Sequence, residues 1–520
     1  MNAVTPPRAG RREWIGLAVI ALPCILYSMD LTVLHLAVPQ LSQDLKPSST
    51  QLLWIIDIYG FLVAGSLITM GTLGDRIGRR RLLLIGAAAF GVASVLAAFS
   101  RSAEMLIATR AVLGVAGATL APSTLSLIRN MFLDAQQRTV AISVWITSYS
   151  VGGAIGPVIG GVMLEYFWWG SVFLISVPVM ALLLAVGPRL LPEFRDPVAG
   201  RPDPISAFLS LGAVLAMIFG LKQIAQDGLN WIPLVFILTG GMLAAVFARR
   251  QQTLADPLID LKLFRMPGFT ASLATLGLGV IILFGGFLYL PQYLQLVVGL
   301  SPLAAGLWSL PWALAFVAGS MITPPIVRRV HPATVMAAGL ALAGLGFAMF
   351  TQVGIGTSLA VVVAGSVVFA LGFAPVFTLT TDLVVGSAPP ERAGAASAMS
   401  ETSAEFGGAL GIAILGSLGV AVYRSAMAGA VPDGVPVQAA EAARDTLGAA
   451  VAVAGQLPGM LGPRLLAAAR EAFVRALQIT AAVSAIGSIG LSIFVFAVLR
   501  RVPVQSEPFE RPELASDPVA

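Results

Sequence analysis

Charge is the scarcest property of this 520-residue chain. Asp, Glu, Lys and Arg together make up 11% of it, where a soluble domain carries about 25%. So little charge excludes an ordinary water-facing surface. Lysine is nearly missing, with only Lys46, Lys222 and Lys262. The remaining basic residues are arginines gathered in short turns, which argues against nucleic acid despite the pI of about 9.6. A single cysteine, Cys24, excludes an intrachain disulfide, and two histidines, His35 and His331, are too few for a His-rich metal site. No P-loop, HExxH or GxSxG run occurs, so the motif-bearing ATP-binding, zinc-peptidase and serine-hydrolase classes are excluded.

Apolar sequence is abundant. The chain is 57% hydrophobic, with a mean hydropathy of +0.89, and its apolar residues gather in runs of about 18 to 25, long enough to cross a bilayer as helices. Fourteen such runs predict an all-α polytopic membrane protein. The first is too long for a signal-peptide core and reads as an uncleaved span. With the N-terminus inside, most of the 31 basic residues fall in the tails and alternate turns, so both termini are expected in the cytoplasm. The expected layout is a tail at 1–13, a six-span half at 14–188, two inserted spans at 204–248, a second six-span half at 268–499, and a tail at 500–520. The last span is expected at 476–499, and the loop before it, 421–475, reads as an outer helical hairpin.

Four local echoes recur at nearly one offset. Pro39-Gln40 matches Pro291-Gln292, Trp54 matches Trp308, Pro122 matches Pro375, and Gly152-Gly-Ala-Ile-Gly156 matches Gly407-Gly-Ala-Leu-Gly411. Echoes in the same order predict two homologous six-helix halves, with a site near the midplane between them.

Ionisable groups at membrane depth cost about 2.5–3.5 kcal/mol each, so each asks for a reason. Asp30, Asp57 and Arg110 lie at similar depth in spans 1, 2 and 4. They form either a charge cluster that senses protons and cations or a pair that locks helices. Glu401 and Glu405 stand at i and i+4 on one helix face. Two carboxylates that close in a low dielectric resist double ionisation, which suits a proton carrier; the alternative is that one of them faces the polar end of the span or an outer loop. Asp382, at the end of span 12, is either a solvated cap or a functional acid. Trp54, Tyr59, Trp145, Tyr149, Phe284, Tyr289, Trp308, Trp312 and Phe377 are candidates to stack on flat cations, against plain packing for each. Gly152, Gly156 and Gly160, with Gly161 beside them, allow a close helix approach, and Pro157 removes one backbone hydrogen bond.

The run Gly71-Thr-Leu-Gly-Asp75-Arg76-Ile-Gly78-Arg79-Arg80-Arg81 sits between two apolar segments. It resembles the signature loop between spans 2 and 3 of the major facilitator superfamily. Arg110-Ala-Val-Leu-Gly114 resembles that family's span-4 motif, and Gly152 to Gly161 its span-5 antiporter motif. Met29-Asp30 through Pro39 is similar to the span-1 motif of the fourteen-span drug:proton antiporters, although His35 stands where Asn is usual. The enlarged loop before the last span and Ser400 to Gly408 narrow the likeness to the QacA/SmvA/LfrA group. No acid lies between Leu300 and Pro325, where some relatives carry one.

The resemblance implies a proton-coupled antiporter of lipophilic, mainly cationic drugs, working in the bilayer of a bacterial cytoplasmic membrane. It implies no cofactor, no catalytic residue and a functional monomer. Asp30, Asp57, Glu401, Glu405 and Arg110 would couple protons and substrate, and the Asp75, Arg76, Arg79, Arg80 loop, with Gly71 and Gly78, would latch the halves. A dedicated exporter of one endogenous metabolite and a non-transporting receptor or scaffold are the rival readings.

Overall fold

A computed structural model describes residues 8–45, 47, 49–195, 203–227, 230–254, 257–259, 261–287, 289–300, 302–389 and 393–500. Most of both expected tails lies outside these residues. Among the described residues all regular structure is helical, and 14 helices are long and apolar enough to cross a membrane. They are α1 (Arg11–Leu45), α2 (Ser49–Ile77), α3 (Arg79–Ala98), α4 (Ala103–Met131), α5 (Ala135–Tyr166), α6 (Ser171–Leu190), α7 (Pro204–Asp227), α8 (Trp231–Thr253), α9 (Pro267–Phe287), α10 (Pro302–Val327), α11 (Pro332–Phe350), α12 (Leu359–Ser387) and α13 (Ala393–Ala428). Two short helices follow, α14 (Val437–Asp445) and α15 (Leu447–Ala454), before the last crossing helix, α16 (Leu461–Leu499).

These segments are apolar on every side, so each is a helix whose backbone is satisfied internally. Polar residues mark the turns. Ser102, Asp134, Asn230 and Ser358 each accept a backbone N–H at a helix start. The bundle carries large apolar side chains outward, as a lipid-facing surface does. Phe208 and Ile486 are both 74% exposed, far beyond what a water-facing surface tolerates in such numbers.

The repeat read from sequence has a packing counterpart. A Cβ at Gly152 of α5 would strike the Ile25 carbonyl of α1, and one at Gly407 of α13 would meet the Gly277 carbonyl of α9. Both partners of the first contact recur about 250 residues later, so each half closes the same pair of helices through the same missing side chain. α7 and α8 pack mainly on each other, and Leu211 and Leu215 of α7 cover Gly65 of α2.

One end of the bundle carries the arginine turns and is called here the basic end; the other carries α14 and α15 and is the hairpin end. The long loop differs from expectation in one respect. Its second arm is no separate helix, because α16 runs unbroken for 39 residues from Leu461, 15 residues before the expected start of the last span at 476. Between Pro463 and Leu477 no Gly or Pro interrupts the helical register, so nothing ends the helix there. The hairpin is tied down within its own half: Tyr423 Oη donates to the Ala443 carbonyl (2.8 Å) and Arg470 Nε to the Leu296 carbonyl (2.9 Å).

Replacing Gly152 by Val is expected to overpack the α1–α5 contact and cost about 1–3 kcal/mol. Gly161→Val, where the added atoms meet open space, should leave the melting temperature in detergent unchanged. Equal melting of the two variants would refute this account of the contact.

Candidate functional site

The charges of spans 1 and 4 meet. Arg110 is 1% exposed on α4, and its Nη1 donates to Asp30 Oδ2 of α1 at 2.7 Å. Its Nε donates to the Ile55 carbonyl of α2 at 3.1 Å, and its guanidinium lies 4.7 Å from the centre of the Tyr59 ring. A buried guanidinium is tolerable only with such partners. The pair therefore fastens α1, α2 and α4 together while leaving Asp30 partly open. The side chain of Asp57 lies outside the described residues, as does that of Pro157.

From Tyr59 a belt of aromatic rings crosses the first half. Tyr27 of α1 is 6.1 Å from Tyr59 and 5.6 Å from Tyr149 of α5, which is 4.7 Å from Trp145. The indole of Trp145 donates to Thr124 Oγ1 at 2.9 Å, and Cys24 lies 3.8 Å from that hydroxyl. Facing this belt from the second half are Glu401 and Glu405 of α13. Both glutamates interact electrostatically with Tyr27, Glu401 also with Tyr149 and Cys24, and Glu405 with Tyr59. Tyr27 was not among the expected contacts. It stands three residues before Asp30, on the same helical face, and that spacing was the available signal.

The other aromatic candidates separate by environment. Trp312 and Phe377 both pack on Phe316, at 6.2 and 5.9 Å. Phe284 lies against Gly408 and Gly411 of α13. Tyr289 is buried with its hydroxyl donating to the Gly416 carbonyl at 3.0 Å, which makes it a helix fastener. Trp54 is 40% exposed and edge-on to Phe61, and Trp308 is 41% exposed. Neither joins the belt, because each lies on an outward face of its helix.

At the basic end the halves touch. Gly71 of α2 packs against the Gly394 carbonyl and Ala398 of α13, and the Arg79 guanidinium, ion-paired to Asp75 four residues earlier, lies against Gly394 itself. Gly78 between them has φ +112°, a conformation that glycine adopts without steric cost. Two charge pairs of this loop lie within the first half. Asp75–Arg79 closes within the loop. Arg80 reaches Glu193 (3.6 Å) and the carbonyls of Pro188 and Leu191, all of its own half. Across the halves, Arg138 of α5 pairs with Asp382 of α12 at 2.9 Å, and Thr139 Oγ1 donates to the same carboxylate at 2.8 Å. Gly152 and Gly160 of α5 face Ile25 and Val33 of α1, within the first half.

Removing either partner of Arg138–Asp382 should destabilise this end, and exchanging the two charges should recover most of the loss. A double-mutant cycle followed by thermal unfolding is expected to give a coupling of about 0.5–3 kcal/mol. A coupling of zero would mean the two residues act independently.

Comparison with known proteins adds to this geometry. The chain is 43% identical over 494 residues to the multidrug efflux pump LfrA of Mycolicibacterium smegmatis, covering 95% of this chain and 98% of that one. It is 37% identical over 470 residues to the methyl viologen resistance protein SmvA of Salmonella typhimurium, covering 89% and 93%. The crystal structure of the human organic anion transporter MFSD10 shares its fold, with a TM-score of 0.57 at 15% identity over 94% of this chain and all of that one. Residues 20–412 match the family model of the Major Facilitator Superfamily, and with the paired halves and the basic turn between α2 and α3 in place, the chain belongs to that superfamily.

Proposed function

We propose that the protein is a proton-coupled antiporter that exports lipophilic, mainly cationic compounds by alternating access. The observation that carries this reading is the pair of glutamates facing the tyrosine belt. Asp30 and Arg110 neutralise one another, so Glu401 and Glu405 set the sign of the site. A flat cation between the halves would stack on Tyr27, Tyr59 and Tyr149 while the carboxylates balance its charge. Water-free surroundings make that balance worth far more than it is in solution.

Protons and cation would compete for the same oxygens. Protonation from outside neutralises Glu401, Glu405 or Asp30 and releases the substrate; reopening inward returns the proton. The basic end is taken as cytoplasmic by the positive-inside rule, which puts both termini in the cytoplasm of a bacterial cell. Each net charge moved gains about 2.3 kcal/mol per 100 mV of membrane potential, so the gradient alone drives the cycle, without ATP or a cofactor. A single chain supplies both halves, and it works as a monomer.

The test is ethidium efflux from energised cells, comparing wild type with Glu401→Gln, Glu405→Gln and Asp30→Asn at equal expression. Wild-type efflux should stop when a protonophore is added. At least one glutamate variant and the Asp30 variant should lose tenfold or more. Efflux that survives the protonophore would overturn proton coupling, and no efflux of any cation would overturn the cationic substrate class.

A further inference from the structure

The connector from α8 to α9 lies across the basic end. Leu258, Ile259 and Leu263 are 3%, 7% and 5% exposed. They share one apolar cluster with Ile68 of α2, Phe247 of α8, Phe269 of α9, Val384 and Ala388 of α12, and Ala396 and Met399 of α13. A short link between helices thus touches both halves and the inserted helices at once.

Its path is held by one side chain. Gln251, 3% exposed at the end of α8, donates through Nε2 to Ser206 Oγ of α7 at 2.8 Å. Its Oε1 accepts the N–H of Leu258 at 2.7 Å and faces that of Ile259 at 3.4 Å. Ser206 in turn donates to Asp203 Oδ2 (2.7 Å), and Arg250 grips both oxygens of Asp203 at 2.9 and 3.2 Å. Hydrogen bonding from Arg250 holds the Asp203 carboxyl down at about 2, so this clasp stays charged at any physiological pH. A backbone N–H in an apolar cluster must find an acceptor, and here the acceptor belongs to the inserted helices.

We infer that Leu258, Ile259 and Leu263 form the plug of the basic-end gate and that Gln251 is its positioning residue, so that α7 and α8 serve to anchor the gate. When the halves part at this end, Ile68 leaves Val384, Ala396 and Met399, and the plug loses one wall of its socket. The clasp decides whether it reseats when they close. This inference rests on the alternating-access reading above.

Cys24 is the chain's one cysteine, so a Cys24→Ser background permits site-directed spin labels. Labels at Leu133 and Arg329, exposed positions of the two halves at the basic end, report the gap in full-length protein in lipid nanodiscs. Wild type should show a short distance whose share falls as the pH is lowered, since the protonated carrier reopens inward. Gln251→Leu should lower the short-distance share at least threefold without acidification. Leu263→Ala, which leaves the clasp intact, should shift it the same way. Gln251→Glu, which keeps the acceptor for both N–H groups, should retain more of it than Gln251→Leu. If Gln251→Leu does not fold, Leu263→Ala decides. Folded variants with wild-type distances would overturn the plug. A wild type showing one distance under every condition would instead overturn the alternating-access reading on which it rests.

Discussion

Everything in this molecule follows from the inability of a bilayer interior to solvate charge. A chain this apolar keeps few ionisable groups at depth, and one that is buried needs a partner. Arg110 shows the rule most clearly. Its guanidinium is buried in the first half, and a carboxylate, a backbone carbonyl and an aromatic face all turn toward it. Satisfying that one guanidinium fixes the relative positions of α1, α2 and α4, and with them the Tyr59 end of the aromatic belt.

Against this matched pair, the two glutamates of α13 stand out by geometry. They come from the other half and face a surface of phenol rings. A site assembled from two halves that move can change its electrostatics without any side chain changing its own neighbours within a half. The glycine contacts make this mechanically simple. Because α1 with α5 and α9 with α13 close through a missing side chain, each half is a tightly packed body, and the alternating-access proposal places motion at the boundary between them.

The fold was largely readable from composition and hydropathy, since membrane length and backbone satisfaction leave helices as nearly the only solution. The repeat was readable too, because Gly152 and Gly407 are constrained by the same contact. What escaped was whatever depends on which helix faces which. The turn after α2 announces itself by charge, yet its Asp75–Arg79 and Arg80–Glu193 pairs remain within the first half. A cross-half pair is formed by Arg138 and Asp382, residues 244 apart whose spacing carries no local pattern. Tyr27 was hidden for a milder reason, being one aromatic among many in an apolar span. The start of α16 was obscured by the changing composition of a helix that leaves the membrane while keeping its register.

The basic end closes on a dimension that deserves separate statement. Gly394 meets the Arg79 guanidinium where any other residue would place its β-carbon. The two halves therefore leave no space for a side chain at that point. In mechanical terms the joint has almost no play, and a single methyl group at 394 would act as a doorstop. Under the alternating-access proposal, a gate built to that tolerance would pass abruptly from sealed to open, with little room for a partly leaking state between them.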